Sequence, residues 1–358
     1  MTWRLLRAIR GRPIHAGLIA VCGLSACATP GSRVPVPLRE PPVAATAPPV
    51  TGTPAGRVIR LKASRPEGVA VDSRTGTVLI AAQDNVLLSV PQAGPAFTVP
   101  RGGLGASTVR TLPAAGRHVR VTPNGPDLAL IPLESSGQLA LLGVPAGRTV
   151  TLAVGPAPHD ATPIPGDRAL VGDEGSGQVS IVTGLVDPAT ATVSQRLPAG
   201  LQPGGVAAAG NLACAVDVRG RYLYRYDVRP GRPVRSMGKV AVGAGPTHVI
   251  ALDGDRVAVA DAIGKAVYVV SLTEGKVRSR RPLSQAPEGL AFDSARHRLW
   301  VTTPGDNSLT DYSLTGDDLA PITSYPTVRQ ANSVAVDPSG TAYVAGATPE
   351  GTLQVLPP

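Results

Sequence analysis

An all-β chain is predicted by three features of the sequence. One pattern, a small-residue turn followed by three short alternating runs, recurs seven times from Arg57 onward. Within each copy Val, Leu, Ile and Tyr alternate with period two, the spacing of a strand with one buried face. No stretch sustains a helical period. Repeats of about 40 to 50 residues with four short strands each are the signature of propeller blades. The predicted architecture is therefore a seven-bladed β-propeller of four-stranded blades, with six or eight blades as the alternatives.

The copies begin at Pro66, Gly116, Pro158, Pro203, Pro246, Pro287 and Ala331, at spacings of 50, 42, 45, 43, 41 and 44 residues. Each reads as strand, turn, strand, polar loop and strand, and Asp337-Pro338-Ser339-Gly340 is one such turn. A fourth strand follows most copies, as at residues 150–154 and 239–242. The long first spacing predicts an insertion at residues 91–106, whose glycine-rich "RGGLGAS" lacks the Gly-Lys-Ser/Thr of a phosphate loop. The seventh copy stops after three strands. "RVIRLKA", residues 57–63, is predicted to supply the missing strand and latch the ring, which leaves no open sheet edge.

Upstream, Arg4, Arg7, Arg10 and Arg12 stand without an acid and precede a mostly apolar run at residues 14–26. A basic start, an apolar run and small residues form the layout of a secretory leader. The run is shorter than the roughly 20 residues that span a bilayer. Leu24-Ser25-Ala26-Cys27 resembles the bacterial lipobox. The resemblance implies cleavage before Cys27 and acylation of that residue; an ordinary leader with a chance cysteine, or a short buried helix, is the other reading. Residues 28–54 contain eight prolines and no periodic pattern, which predicts a semi-rigid tether. The expected organisation is a signal peptide at 1–26, a lipidated cysteine and proline-rich tether at 27–55, and a propeller at 56–358.

The formal net charge of +9 falls to +5 once the four leader arginines are removed. Cys27 and Cys214 then remain, and with Cys27 lipidated no intrachain disulfide is available. Cys214 lies in the apolar run "LACAV" and reads as a core residue. Eleven aromatic residues in 358, with Trp300 the one tryptophan after the leader, supply few stacking platforms, so no nucleic-acid partner is expected. Residues 219–239 hold Arg219, Arg221, Arg225, Arg229, Arg232, Arg235 and Lys239 against Asp227 alone. This basic rim reads as a solvated edge that resists strand pairing, or as a contact with anionic lipid or an acidic wall polymer.

The repeats also resemble a known family. "LWVTTPGDNSLTDYSL", residues 299–314, is similar to the Tyr-Val-Thr-Asn propeller repeat. "PEGVAVD" and "NSVAVDPSG" resemble the related repeats of streptogramin-lyase-like and other six- to seven-bladed propellers of the NHL type. As a lipid-anchored propeller the chain is similar to surface lipoproteins of actinobacteria.

Loops at the channel mouth are where such scaffolds carry function. The loops before the innermost strands supply Glu67, His118, His159, Asp160, His248, Glu288 and Asn332. The loops between strands two and three supply Asp84, Glu134, Asp173, Glu174, Asp217, Asp261 and Asp306. Three of the five histidines are expected at equivalent blade positions. Such residues often satisfy turn backbone. They can also contact a ligand, bind a divalent cation or act as an acid/base pair. In streptogramin-lyase-like propellers, channel-facing histidine and glutamate bind magnesium and assist elimination. The resemblance implies His159, His248, Glu67 and Glu288 as counterparts, although the paired histidine–glutamate spacing of that enzyme does not occur here. No hydrolase, zincin or Cys-x-x-Cys motif is present.

The expectation is a monomeric envelope lipoprotein on the extracytoplasmic face of the cell membrane, its propeller a non-enzymatic scaffold for an envelope protein or small ligand. The alternative is a metal-assisted lyase or lactonase at the channel mouth. No cofactor is required by the sequence; a divalent cation is the one candidate.

Overall fold

The computed structural model describes residues 40–90, 108–123, 126–144 and 147–358. The leader, the lipobox with Cys27, and the expected insertion at 91–106 lie outside the described residues. The rest forms seven four-stranded antiparallel sheets, and the chain is a seven-bladed propeller. Counting blades in chain order, the innermost strands are Pro66–Asp72, Arg120–Val121, Pro158–Ile164, Pro203–Ala209, Pro246–Ala251, Leu290–Asp293 and Ala331–Val336. The N-terminal strand Arg57–Arg60 pairs antiparallel with the last strand, Thr352–Leu356, with Arg57 opposite Val355 and Arg60 opposite Thr352. It is the outermost strand of blade seven and closes the ring as the truncated final copy predicts.

The apolar core lies between blades. Leu79 and Ala81 of blade one pack with Ala129 and Ile131 of blade two. Cys214 and Val216 of blade four pack with Val257 and Val259 of blade five. Burial pushes the Cys214 thiol up to about 12, so it is inert at neutral pH. Three of the seven acids of the second loop set satisfy backbone, as turn residues do, and Asp84, which accepts from Ser64 N, is one of them. Asp217 accepts from Gln202 N and Gly220 N, and Asp261 from Ala244 N, Gly245 N and Gly264 N. The basic stretch of blade four is partly satisfied internally too: Arg225 donates to the carbonyls of Leu272 and Met237, and Arg229 pairs with Asp227.

One local feature positions the functional site. In blades one, three, four, five and seven the pairing of the innermost strand with the second shifts register at its first residues. A bulge of this kind leaves one residue unpaired and re-aims its side chain. Counting from the paired residue on the second strand, the bulged positions are Glu67, His159, Gly204, Thr247 and Asn332. Arg117 occupies the same position in blade two, between Gly116 opposite Leu133 and Arg120 opposite Leu130. Glu288 does so in blade six, before Leu290 opposite Val301. All seven line the mouth of the channel.

Residues 40–55, expected as part of the tether, run against the propeller. Ala47 is buried; its N–H donates to Gln330 Oε1 at 3.0 Å, and Gln330 Nε2 donates to Ala45 O at 2.9 Å. Asn307 Nδ2 donates to Pro48 O. Pro41 to Ala44 then reach the channel mouth.

Closure by Arg57–Arg60 rests on one inward side chain, Ile59, which packs with Leu353 and Val355. Ile59→Ala is expected to cost about 2–4 kcal/mol, read as a lower midpoint in urea unfolding. Val58→Ala, at an exposed position on the same strand, is expected to cost less than about 0.5 kcal/mol.

Candidate metal centre at the channel mouth

Two layers of side chains surround the axis. The bulged residues form the outer layer. One step further along each strand come Gly68, His118, Asp160, Gly205, His248, Gly289 and Ser333. His118 and His248 are therefore equivalent to each other, and His159 sits one residue earlier. This corrects the expectation that all three histidines share one blade position. The glycines of the inner layer are required by close approach: a Cβ on Gly68 would lie 2.6 Å from Arg117 O, and one on Gly289 3.0 Å from Asn332 O. Their missing side chains leave the axis to the imidazoles.

His118, His159 and His248 converge, each offering one ring nitrogen, with all three atoms within 4.8 Å of one another. His118 Nε2 and His159 Nε2 are 3.2 Å apart. Two nitrogens bound tetrahedrally to one zinc ion stand about 3.3 Å apart, given Zn–N near 2.05 Å. His248 Nδ1 donates to the carbonyl of Glu288 at 2.9 Å. A carbonyl cannot donate, so Nδ1 carries the proton of this bond and Nε2 is the ring nitrogen left to face a ligand. Behind His159, Glu174 Oε1 lies 3.2 Å from Nδ1, off the line of a hydrogen bond.

Burial holds the imidazoles of His118 and His159 below the usual value of 6.5. For His118 the neighbouring histidines add to this, and Asp160 opposes it; for His159 Arg117 adds. Both are neutral at pH 7, the form that binds metal. Burial also raises the carboxyls of Glu67, Glu174 and Glu288, and Glu134 raises Glu174 further. The three imidazoles do not fit the magnesium implied by the family resemblance, since that ion takes oxygen ligands. They fit a borderline ion of the zinc class.

Of the seven residues singled out from the sequence, six line the mouth cavity of about 290 Å³. Asp160 does not. Its buried carboxylate accepts from Ala161 N and Val206 N and pairs with Arg120 Nη2 at 3.4 Å. Burial raises its pKa, but Arg120, His118 and the Val206 amide outweigh this and hold it below the usual carboxylate value. Glu67 stands apart from the imidazole cluster, accepting from Gln83 Nε2 and Asn332 Nδ2. From the second loop set, Glu174 lines the mouth, and Glu134 is held at 2.5 Å by Arg117 Nε. Sequence reasoning missed Arg117 and Thr247, which line the mouth; counting one residue on from each blade's first Gly or Pro would have found both. Pro41 to Ala44 complete the wall, tied through Gln330, which also donates to Asn332 Oδ1.

No protein-family model matches the chain, and no curated protein matches it in sequence. Among solved structures it is similar to virginiamycin B lyase from Staphylococcus aureus, in a selenomethionine-substituted crystal, at 14% identity and TM-score 0.66, over 84% of this chain and 98% of that one. It is similar also to a chain of the Mitotic Checkpoint Complex, at 13% identity and TM-score 0.68, over 96% and 99%. A third is Kuenenia stuttgartiensis hydrazine synthase, at 16% identity and TM-score 0.64, over 84% and 97%. At these identities the likeness is one of fold, and the streptogramin-lyase type of propeller is among the folds matched.

Protein purified without chelators is expected to take up one zinc ion per chain by elemental mass spectrometry, and His118→Ala, His159→Ala and His248→Ala each to lose it. In metal-free protein the two depressed imidazoles bind protons more weakly than in the unfolded chain. Their contribution to stability is therefore full above pH 6.5 and lost as pH falls through 6.5 toward their folded values. Replacing both by alanine is expected to flatten that limb of the stability–pH curve.

Proposed function

We propose that the channel mouth is a three-histidine centre for a divalent ion of the zinc class, and that the chain uses it for metal-assisted hydrolysis of an ester or lactone. The observation that carries this reading is the convergence of one ring nitrogen from each of His118, His159 and His248 within 4.8 Å. Three protein nitrogens leave a tetrahedral ion one open position, as catalytic sites do. The ion would supply Lewis acidity toward a carbonyl oxygen. The protein's own groups do the rest. Glu174 lies 3.2 Å from His159 Nδ1 and Glu288 3.9 Å from His248 Nδ1, where each would orient its imidazole and raise its basicity as a ligand. Arg117, fixed by Glu134 and lining the mouth, offers a cationic donor to an oxyanion.

The binding-scaffold reading rests on a separate observation. Pro41 to Ala44 already lie across the mouth, anchored through Ala47 and Gln330. The same face thus holds an extended proline-rich peptide, and a partner peptide could use it.

The envelope location is part of the proposal and rests on the lipobox-like Leu24-Ser25-Ala26-Cys27. Twelve residues lie between Cys27 and Glu40, the first described residue. Several acyl chains are needed for stable anchoring. Among the described residues no helix is long and apolar enough to cross a membrane.

Zinc-loaded protein is expected to turn over a lactone or activated ester in a panel, with activity lost in His248→Ala. Glu174→Gln is expected to lower zinc affinity by about 10- to 100-fold, read by metal titration beside the unaltered protein. Metal uptake without turnover of any hydrolysis or elimination substrate would favour the scaffold. In cells, Cys27→Ser is expected to move the protein from the membrane fraction to the soluble fraction.

A further inference from the structure

Residues 41–48 cross the channel mouth in two parts that are held differently. The downstream part is clamped by three side chains of the propeller. Gln330 Nε2 donates to Ala45 O at 2.9 Å, and Gln330 Oε1 accepts from Ala47 N at 3.0 Å. Arg329 Nε donates to Ala47 O at 3.3 Å, and Asn307 Nδ2 to Pro48 O at 3.0 Å. The upstream part, Pro41 to Ala44, lines the mouth together with the three imidazoles. Among the described residues no hydrogen bond ties it to the propeller. Pro41 and Pro42 bring no N–H that lying against the mouth would leave unsatisfied. Val43 is 82% exposed, so the segment roofs the chamber and does not plug it. About 290 Å³ remains within the walls it completes.

We propose that residues 41–44 are a lid over the channel mouth, hinged on the clamp at 45–48, and that lifting it admits ligands to the imidazoles. Such a lid governs access whichever ion or reaction the mouth serves. The clamp is made of hydrogen bonds from propeller side chains, with no sheet ladder behind them. Each such bond exchanges protein for water and adds only modestly to the closed state. The prolines keep the released segment extended, which limits the ordering cost of its return. A weak clamp on a stiff segment gives a cover that opens and recloses. Entry to the chamber then scales with the fraction of molecules in which it is open. Gln330 also donates to Asn332 Oδ1 in the mouth, and Asn332 donates to Glu67. Asn307 and Arg329 hold the strap from outside the mouth lining, so they separate access from the chemistry of the chamber.

The test reads access with diethyl pyrocarbonate, which acylates neutral imidazole, on the metal-free full chain. Peptide mass spectrometry follows His118, His159 and His248. His297 is the internal standard, since its side chain is 64% exposed and lies outside the mouth. Hydrogen exchange at the Ala47 amide reports the clamp in the same samples. Asn307→Gly removes one clamp bond and keeps the left-handed backbone at φ 49. Arg329→Met removes another at an exposed position. Each is expected to speed labelling of the three imidazoles by about 2- to 10-fold relative to His297, with faster exchange at Ala47. The double variant is expected to exceed either. Unchanged labelling in the folded double variant overturns the lid, whether or not Ala47 exchanges faster. Faster labelling without faster exchange at Ala47 overturns it too, as does labelling of the unaltered mouth at the rate of His297. Added zinc is expected to protect the three imidazoles in every form. Failure of zinc to protect them, with labelling still faster in the clamp variants, overturns the metal centre and leaves the lid standing.

Discussion

A four-stranded blade cannot bury its two faces alone, and every other property of this chain follows from that constraint. The core clusters each straddle two neighbouring blades, as Leu79 with Ile131 and Cys214 with Val259 do. A single blade would expose both apolar faces to water. The arrangement becomes stable only when the ring closes and each face meets its neighbour. Closure in turn forces seven innermost strands onto one axis, where backbones approach closely enough that Gly68 and Gly289 admit no Cβ. The site at the mouth is a product of that convergence, since ring closure brings residues 118, 159 and 248 together from distant parts of the chain.

The blades and the latch were legible in the sequence because they depend on period and alternation, which a single chain displays. The blade starts at Pro66, Pro158, Pro203, Pro246 and Ala331 coincide with the innermost strands, and the missing strand of the final blade appears at Arg57–Arg60. The site was legible only in part. His118 was named among its residues, but the glutamates were expected as direct partners of an ion, and the structure sets them behind the imidazoles. The register of the bulge caused the error over position. His248 follows Pro246 by two residues and His159 follows Pro158 by one, so the two imidazoles reach the axis from adjacent layers. A reading that aligned loops by residue type passed over that one-residue difference. The docking of residues 40–55 was not legible, because proline-rich composition specifies an extended backbone and says nothing about what it lies against.

The electrostatics of the mouth run against the protein as a whole. The chain is strongly basic, yet the mouth gathers Glu67, Glu174 and Glu288 around the imidazole cluster, in which burial keeps His118 and His159 neutral. Arg117 is the cation that lines it, and Glu134 offsets Arg117. Carboxylates with raised pKa beside neutral histidines form an assembly short of positive charge. A divalent ion would relieve the desolvation of the acids and would take the place of the hydrogen bond that joins His118 Nε2 and His159 Nε2.

The repeated bulge has a consequence for how such a protein can change. In each blade the residue at the bulge position faces the mouth, while the residues around it carry the packing between blades. Substituting it alters the chemistry of the site with little effect on the sheets. Glu67, Arg117, His159, Thr247, Glu288 and Asn332 set the chemistry of one centre, and some act together, as Asn332 donates to Glu67. A lineage could trade side chains one at a time in this outer layer, whereas the inner layer that supplies His118 and His248 is constrained where Gly68 and Gly289 admit no Cβ. The sevenfold ring thereby separates the evolution of reactivity from the maintenance of the fold.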